Sequence, residues 1–106
     1  MDLTVTPGND SLMVHLNEAR LDAAIATPFK DRLRDVIRSS EQSVVLDMGK
    51  VDFMDSSGLG ALIAVFKTLP QGRQMALANL QPNVDRVLKL TRMDTIFTIL
   101  PDEVRQ

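Results

Sequence analysis

The sequence predicts an α/β domain: a mixed, mostly parallel β-sheet of about five strands, opened by an N-terminal hairpin and packed against about four helices. Three observations predict it. Strand-like apolar runs alternate along the chain with segments whose apolar residues recur every three or four positions. That alternation is the pattern of helix crossovers between parallel strands. The first two strand-like runs are joined only by Pro7-Gly8-Asn9-Asp10, a turn, and so form a hairpin that makes the sheet mixed. Finally, 106 residues supply one modest core and no second one, so residues 1–106 read as one domain.

The elements follow in order. Leu3 to Thr6 reads as a short strand, and Ser11 to Asn17 sets Leu12, Val14 and Leu16 on one face. Thr27-Pro28 supplies an N-cap followed by proline at the first helical position. Phe29, Leu33, Val36 and Ile37 then recur at helical spacing up to Ser39 or Ser40, with Lys30, Asp31, Arg34, Asp35 and Arg38 on the solvated face. Ser43 to Met48 is nearly all apolar, as expected of a central strand covered on both faces. After a turn at Asp55–Gly58, Leu59, Leu62, Ile63, Phe66 and Leu69 form a second helical stripe, stopped by Pro70-Gln71-Gly72. Met75 to Leu80 is a further strand. Pro82 opens a third helix with Val84, Val87, Leu88 and Thr91 inward. A short helical turn at Asp94 to Phe97 leads to a last strand at Thr98 to Leu100, and Pro101 to Gln106 reads as a frayed polar tail.

Composition narrows the function classes. A formal net charge of -2 gives no basic field for nucleic acid. The absence of Trp and Tyr removes most of the stacking platforms of single-strand readers. Without cysteine there is no disulfide, thiolate nucleophile or thiolate metal site. No apolar run approaches the roughly 18 residues of a membrane span. Met1-Asp2-Leu3-Thr4 lacks the basic start of a secretion signal, so a cytoplasmic protein is expected.

The most informative run is Val51 to Gly60, which joins a strand to a helix and holds Asp55-Ser56-Ser57-Gly58 at the junction. Amide N–H groups and the positive end of the helix dipole converge there. A nucleophile elbow needs glycine two residues before the serine, but Met54 precedes Ser56 and Asp55 precedes Ser57 at that distance. The only histidine, His15, falls in the hairpin, where a satisfied or solvent-facing imidazole is the ordinary case. Gly58-Leu59-Gly60 lacks the Lys-Ser/Thr pair of a phosphate-binding loop, so no nucleotide or other cofactor is expected. Asp47, Asp52 and Asp55 read as solvated strand-end and loop acids, not as metal ligands. One of Asp55, Ser56 and Ser57 should cap the helix, which leaves a hydroxyl over.

These residues carry a family resemblance. Asp55-Ser56-Ser57-Gly58-Leu59-Gly60, preceded by Val45-Leu46-Asp47 and Val51-Asp52-Phe53-Met54, closely resembles the bacterial anti-sigma-factor antagonists, which are single STAS domains. Leu21-Asp22-Ala23 with Thr27-Pro28 is similar to the family's segment before its first helix. Arg86 to Thr91 and Asp94 to Phe97 are similar to its C-terminal helices. The chain departs from the family at Ala19 and Arg92, where glycine is usual. The resemblance implies a non-enzymatic module that binds an anti-sigma factor, itself a serine kinase of the histidine-kinase-like ATPase fold, and so releases a sigma factor. With no large unpatterned apolar surface to demand a dimer, a monomer is expected. It implies Ser56 as the phosphorylated residue, with Ser57 the lesser candidate and more suited to a cap or local contact. Asp22, Asp55, Ser56, Ser57 and Gly58 would form the partner surface, and a metal-dependent PP2C-type phosphatase would restore binding. The second reading is a STAS subunit with a structural duty in a transporter ATPase or a larger signalling complex.

Overall fold

The computed structural model describes residues 1–101. In chain order the elements are β1 (Leu3–Pro7), β2 (Ser11–Leu16), β3 (Arg20–Leu21), α1 (Ala26–Arg38), β4 (Ser43–Asp47), β5 (Phe53–Met54), α2 (Ser56–Lys67), β6 (Met75–Ala78), α3 (Pro82–Leu90), a 3-10 turn (Met93–Thr95) and β7 (Thr98–Ile99). The main sheet has five strands in the order β1-β2-β4-β6-β7. β1 and β2 are the antiparallel hairpin, and every other neighbour pair is parallel. The mixed, mostly parallel sheet is therefore as expected. Three α-helices and one 3-10 turn stand where about four helices were expected.

Register fixes the core. Val14 lies beside Leu46, Leu46 beside Leu77, and Leu77 beside Ile99, so one face carries a continuous aliphatic row. Phe29, Leu33 and Ile37 of α1, Leu62 and Val65 of α2, and Val84 and Leu88 of α3 pack with that row in one cluster. Only alternate residues of β4 are buried, Val44 and Leu46, with Met48 just beyond its end. Val45 and Asp47 are half-buried on the opposite face. The expectation that Ser43–Met48 is covered on both faces is thus corrected.

Other boundaries shift for local reasons. α1 begins at Ala26, with Ile25 as N-cap and no side-chain cap, so Thr27 does not cap it and Pro28 is its third residue. Proline is tolerated there because the first-turn N–H groups have no helical acceptor anyway. α2 begins at Ser56, not Leu59, and its fully buried positions are Leu62 and Val65, whereas Ile63, Phe66 and Leu69 are only partly covered. Thr91 is exposed instead of inward and returns its hydroxyl to the Val87 carbonyl at 2.7 Å. β6 stops at Ala78 because Asn79 takes a left-handed backbone, φ 60°. The 3-10 turn covers Met93–Thr95 instead of Asp94–Phe97, and β7 ends at Ile99. The polar tail falls, from residue 102 on, outside the described residues. Among the described residues no helix is long and apolar enough to cross a membrane.

The expected elements omitted one feature, a second small sheet in which β3 and β5 pair in parallel. It stands where α1 and α2 begin, and it builds the site.

Candidate functional site

β3 and β5 are each two residues long and repeat one pattern. An outward residue comes first (Arg20, Phe53), a buried one second (Leu21, Met54), and an aspartate follows (Asp22, Asp55). In register Arg20 lies beside Phe53 and Leu21 beside Met54. The buried pair anchors the ribbon in the core, and the outward pair faces solvent.

Each aspartate folds back onto the chain that follows it. Asp22 Oδ1 accepts the Ala24 N–H at 3.1 Å, and the Asp22 carbonyl accepts the Ile25 and Ala26 amides, which turns the chain into α1. Asp55 is the N-cap of α2: its Oδ1 accepts the Gly58 N–H at 2.9 Å. Its other oxygen accepts the Ala23 N–H at 3.2 Å, so one carboxylate ties the start of α2 to the turn before α1. The Gly58 N–H bond is the main reason the Asp55 carboxyl lies below its ordinary value. Partial desolvation opposes it, and the Ala23 and Ser57 amides and the Arg20 charge add to it. Gly58 is needed for the approach, since a Cβ there would lie 2.8 Å from the Leu21 carbonyl carbon and 2.9 Å from Leu21 Cγ.

Because Asp55 takes the cap, the hydroxyls are left free. Ser56 and Ser57 are both exposed, and among the described residues neither hydroxyl makes a hydrogen bond. Ser56 is the first residue of α2. Of the three cap candidates, Asp55, Ser56 and Ser57, it is Asp55 that caps the helix. Asp22, Asp55, Ser56, Ser57 and Gly58 are brought together on one rim, with Gly58 buried beneath it.

Arg20 and Phe53, which the sequence reading did not single out, complete the rim. The Arg20 guanidinium lies 4.0 Å from the Phe53 ring centroid, and its Nε donates to Asp22 Oδ2 at 3.1 Å. The repeated pattern Arg-Leu-Asp and Phe-Met-Asp was the available signal.

His15 and Asp47 lie elsewhere. His15 Nδ1 and Asp47 Oδ2 are 2.9 Å apart across β2 and β4, on the face opposite the core. Asp47 Oδ1 accepts the Gly49 N–H at 2.9 Å and the Asn79 amide at 3.0 Å. Burial pushes the Asp47 carboxyl up, but the bonds from Asn79, Gly49 and His15 outweigh it and leave it lowered. His15 is thus engaged with Asp47 and makes no bond to either serine. Asp47 and Asp55 are committed to separate networks, and no three metal-ligating side chains converge among the described residues.

Comparison with known proteins places this geometry. The model of the STAS domain family matches residues 1–105. The anti-sigma-B factor antagonist of Listeria monocytogenes is 32% identical over 81 residues, covering 74% of this chain and 70% of its own. An anti-sigma factor antagonist from Mycobacterium paratuberculosis superposes with a TM-score of 0.84 at 23% identity, over 94% of this chain and 85% of that one. SpoIIAA of Bacillus shares the fold in two states. Its unphosphorylated form gives a TM-score of 0.75 at 17% identity, over 98% of this chain and 92% of that one. Its phosphorylated form gives 0.68 at 16%, over 98% and 96%.

Proposed function

The chain belongs to the STAS domain family, and from that premise we propose that it is an anti-sigma factor antagonist, a regulatory binding module and not an enzyme. The partner docks on the rim of Asp22, Asp55, Ser56, Ser57 and Gly58 while Ser56 carries a free hydroxyl. The partner is an anti-sigma factor that is also a serine kinase of the histidine-kinase-like ATPase fold. It transfers the γ-phosphoryl group of ATP to Ser56 Oγ. A P–O bond to serine forms, the β–γ anhydride bond breaks, and ADP and the hydroxyl proton leave. A PP2C-type phosphatase hydrolyses the ester and restores docking.

One observation carries this reading: Ser56 is exposed at the first position of α2, with its hydroxyl unused because Asp55 supplies the cap. The name of the Listeria relative and the existence of a phosphorylated form of SpoIIAA support it. The physical logic is local. Phosphorylation adds about -1.5 to -2 charges, and a dianion forced into a protein interface without partners is costly.

The test is phosphorylation by the producing organism's kinase-type anti-sigma factor with ATP. Mass spectrometry should place one phosphate on Ser56 and none on the Ser56→Ala variant, and binding measured by calorimetry should be lost on modification. A phosphate on another residue, or unaltered binding by the modified chain, overturns the proposal.

A further inference from the structure

A phosphate at a helix N-terminus is ordinarily received by unpaired amide N–H groups. At this rim several of the nearby amides are already engaged. Gly58 and Ala23 donate to Asp55, and Ala24 donates to Asp22. A phosphoryl group on Ser56 therefore arrives beside two carboxylates that have already taken several of the local donors. Arg20 is a cation on this face, close enough to act on the Asp55 charge. It lies in register with Phe53, and alternation along the strand returns the Asp55 side chain, two residues on, to the same side. Arg20 uses only Nε, toward Asp22, and its terminal nitrogens have no acceptor among the described residues. Its side chain is 58% exposed.

We propose that Arg20 is the intramolecular counter-charge for a phosphoryl group on Ser56, and that modification draws its guanidinium off Phe53 and Asp22. This rests on Ser56 being the modified residue. A guanidinium binds a phosphate dianion through two parallel, charge-assisted hydrogen bonds, a stronger arrangement than its present single bond to a carboxylate. Once Arg20 moves, the Phe53 ring loses its cover and Asp22 loses its cation. The docking rim then changes chemistry at three places instead of one.

The experiment uses the chain with phosphoserine installed at position 56 during translation, so no kinase is needed. Phosphorus NMR follows the second ionisation of the phosphate, and proton NMR follows the Arg20 side chain. The phosphate should titrate about half a pH unit higher in Arg20→Gln than with Arg20 present, the opposite charge being partly screened at this exposed site. In the unsubstituted chain, the Arg20 side-chain protons, shielded by the Phe53 ring, should move toward free-arginine positions on phosphorylation. Equal titrations, or Arg20 resonances that stay in place, overturn the proposal. The second readout needs no substitution, so it decides the matter even if Arg20→Gln folds poorly. If the anti-sigma reading fails instead, unmodified chain will not bind the anti-sigma factor while both NMR responses persist.

Discussion

Gly58 and Gly60 stand two residues apart near the start of α2, and their surroundings set opposite expectations. A Cβ on Gly58 would press into the Leu21 backbone, which cannot retreat without loosening the β3–β5 pair. A Cβ on Gly60 would meet nothing within 4 Å. Gly58→Ala should therefore cost about 1–3 kcal/mol, the usual range for overpacking against fixed neighbours. Gly60→Ala should gain about 0.5–1 kcal/mol, because alanine loses less conformational freedom in a helix. Urea midpoints of the two variants check this, and equal midpoints would refute the close approach. The two departures from the family's glycines separate in the same way. Arg92 adopts φ 60°, just past the end of α3, and so bears the left-handed strain that glycine avoids. Ala19 is not among the residues with positive φ and bears none. Arg92→Gly should raise stability by roughly 0.5–1 kcal/mol, read as a thermal midpoint a few degrees higher, whereas Ala19→Gly should lower it.

At the scale of elements, two side chains hold neighbouring segments in place. Arg73, just before β6, donates from Nη1 to the Ser40 carbonyl at 2.6 Å and from Nη2 to the Ile37 carbonyl at 3.2 Å, so it completes the C-terminus of α1. Arg73→Ala should cost about 1–3 kcal/mol and speed amide exchange in the last turn of α1. Asp47 joins β2, β4 and the chain leaving β6 through His15, Gly49 and Asn79. Its folded pKa lies below the ordinary 3.8. Its stabilisation is therefore present above that value and is lost as pH falls through the lower, folded value. Urea midpoints measured down to about pH 2 should fall less steeply for Asp47→Asn than for the parent. An identical acid limb would show that Asp47 is not held as described. The long periodic elements were legible in the sequence because four or more apolar residues voted for each. β3 and β5 were not, since two residues carry no period. The start of α1 misled because Thr27-Pro28 imitates a cap, while the chain is actually turned into the helix by Asp22, through its carboxylate and its carbonyl. At the site, Asp55, Ser56 and Gly58 were legible as one contiguous string. The Arg20–Phe53 stack was not, because only the pairing of β3 with β5 brings it together.

For the whole molecule the decisive question is how far a charge at Ser56 can reach. The three helices join one core against one face of the sheet, and the switch lies at the rim of that core, not within it. Its direct ties are few. Asp55 joins Gly58 to Ala23, Arg20 joins Asp22 and Phe53, and Asp52 N–H reaches the Ala19 carbonyl at 2.9 Å. Leu46, Leu62 and Leu77 beneath are fully buried and close-packed, so a surface charge finds no second arrangement of the core to favour. Phosphoserine at position 56, or Ser56→Glu, should therefore move amide resonances in residues 50–62 and, through Asp55 and Arg20, in residues 19–24. Those of β2, β4 and β6 should stay in place. Perturbations spread along these central strands would mean that the modification repacks the domain, and exclusion of the partner would then be a conformational effect. Perturbations confined to residues 50–62 would leave the turn before α1 uninvolved, and the link from Asp55 to Ala23 would carry no signal. Only the two-segment pattern fits a switch that acts by changing the chemistry of a rim built on a rigid core.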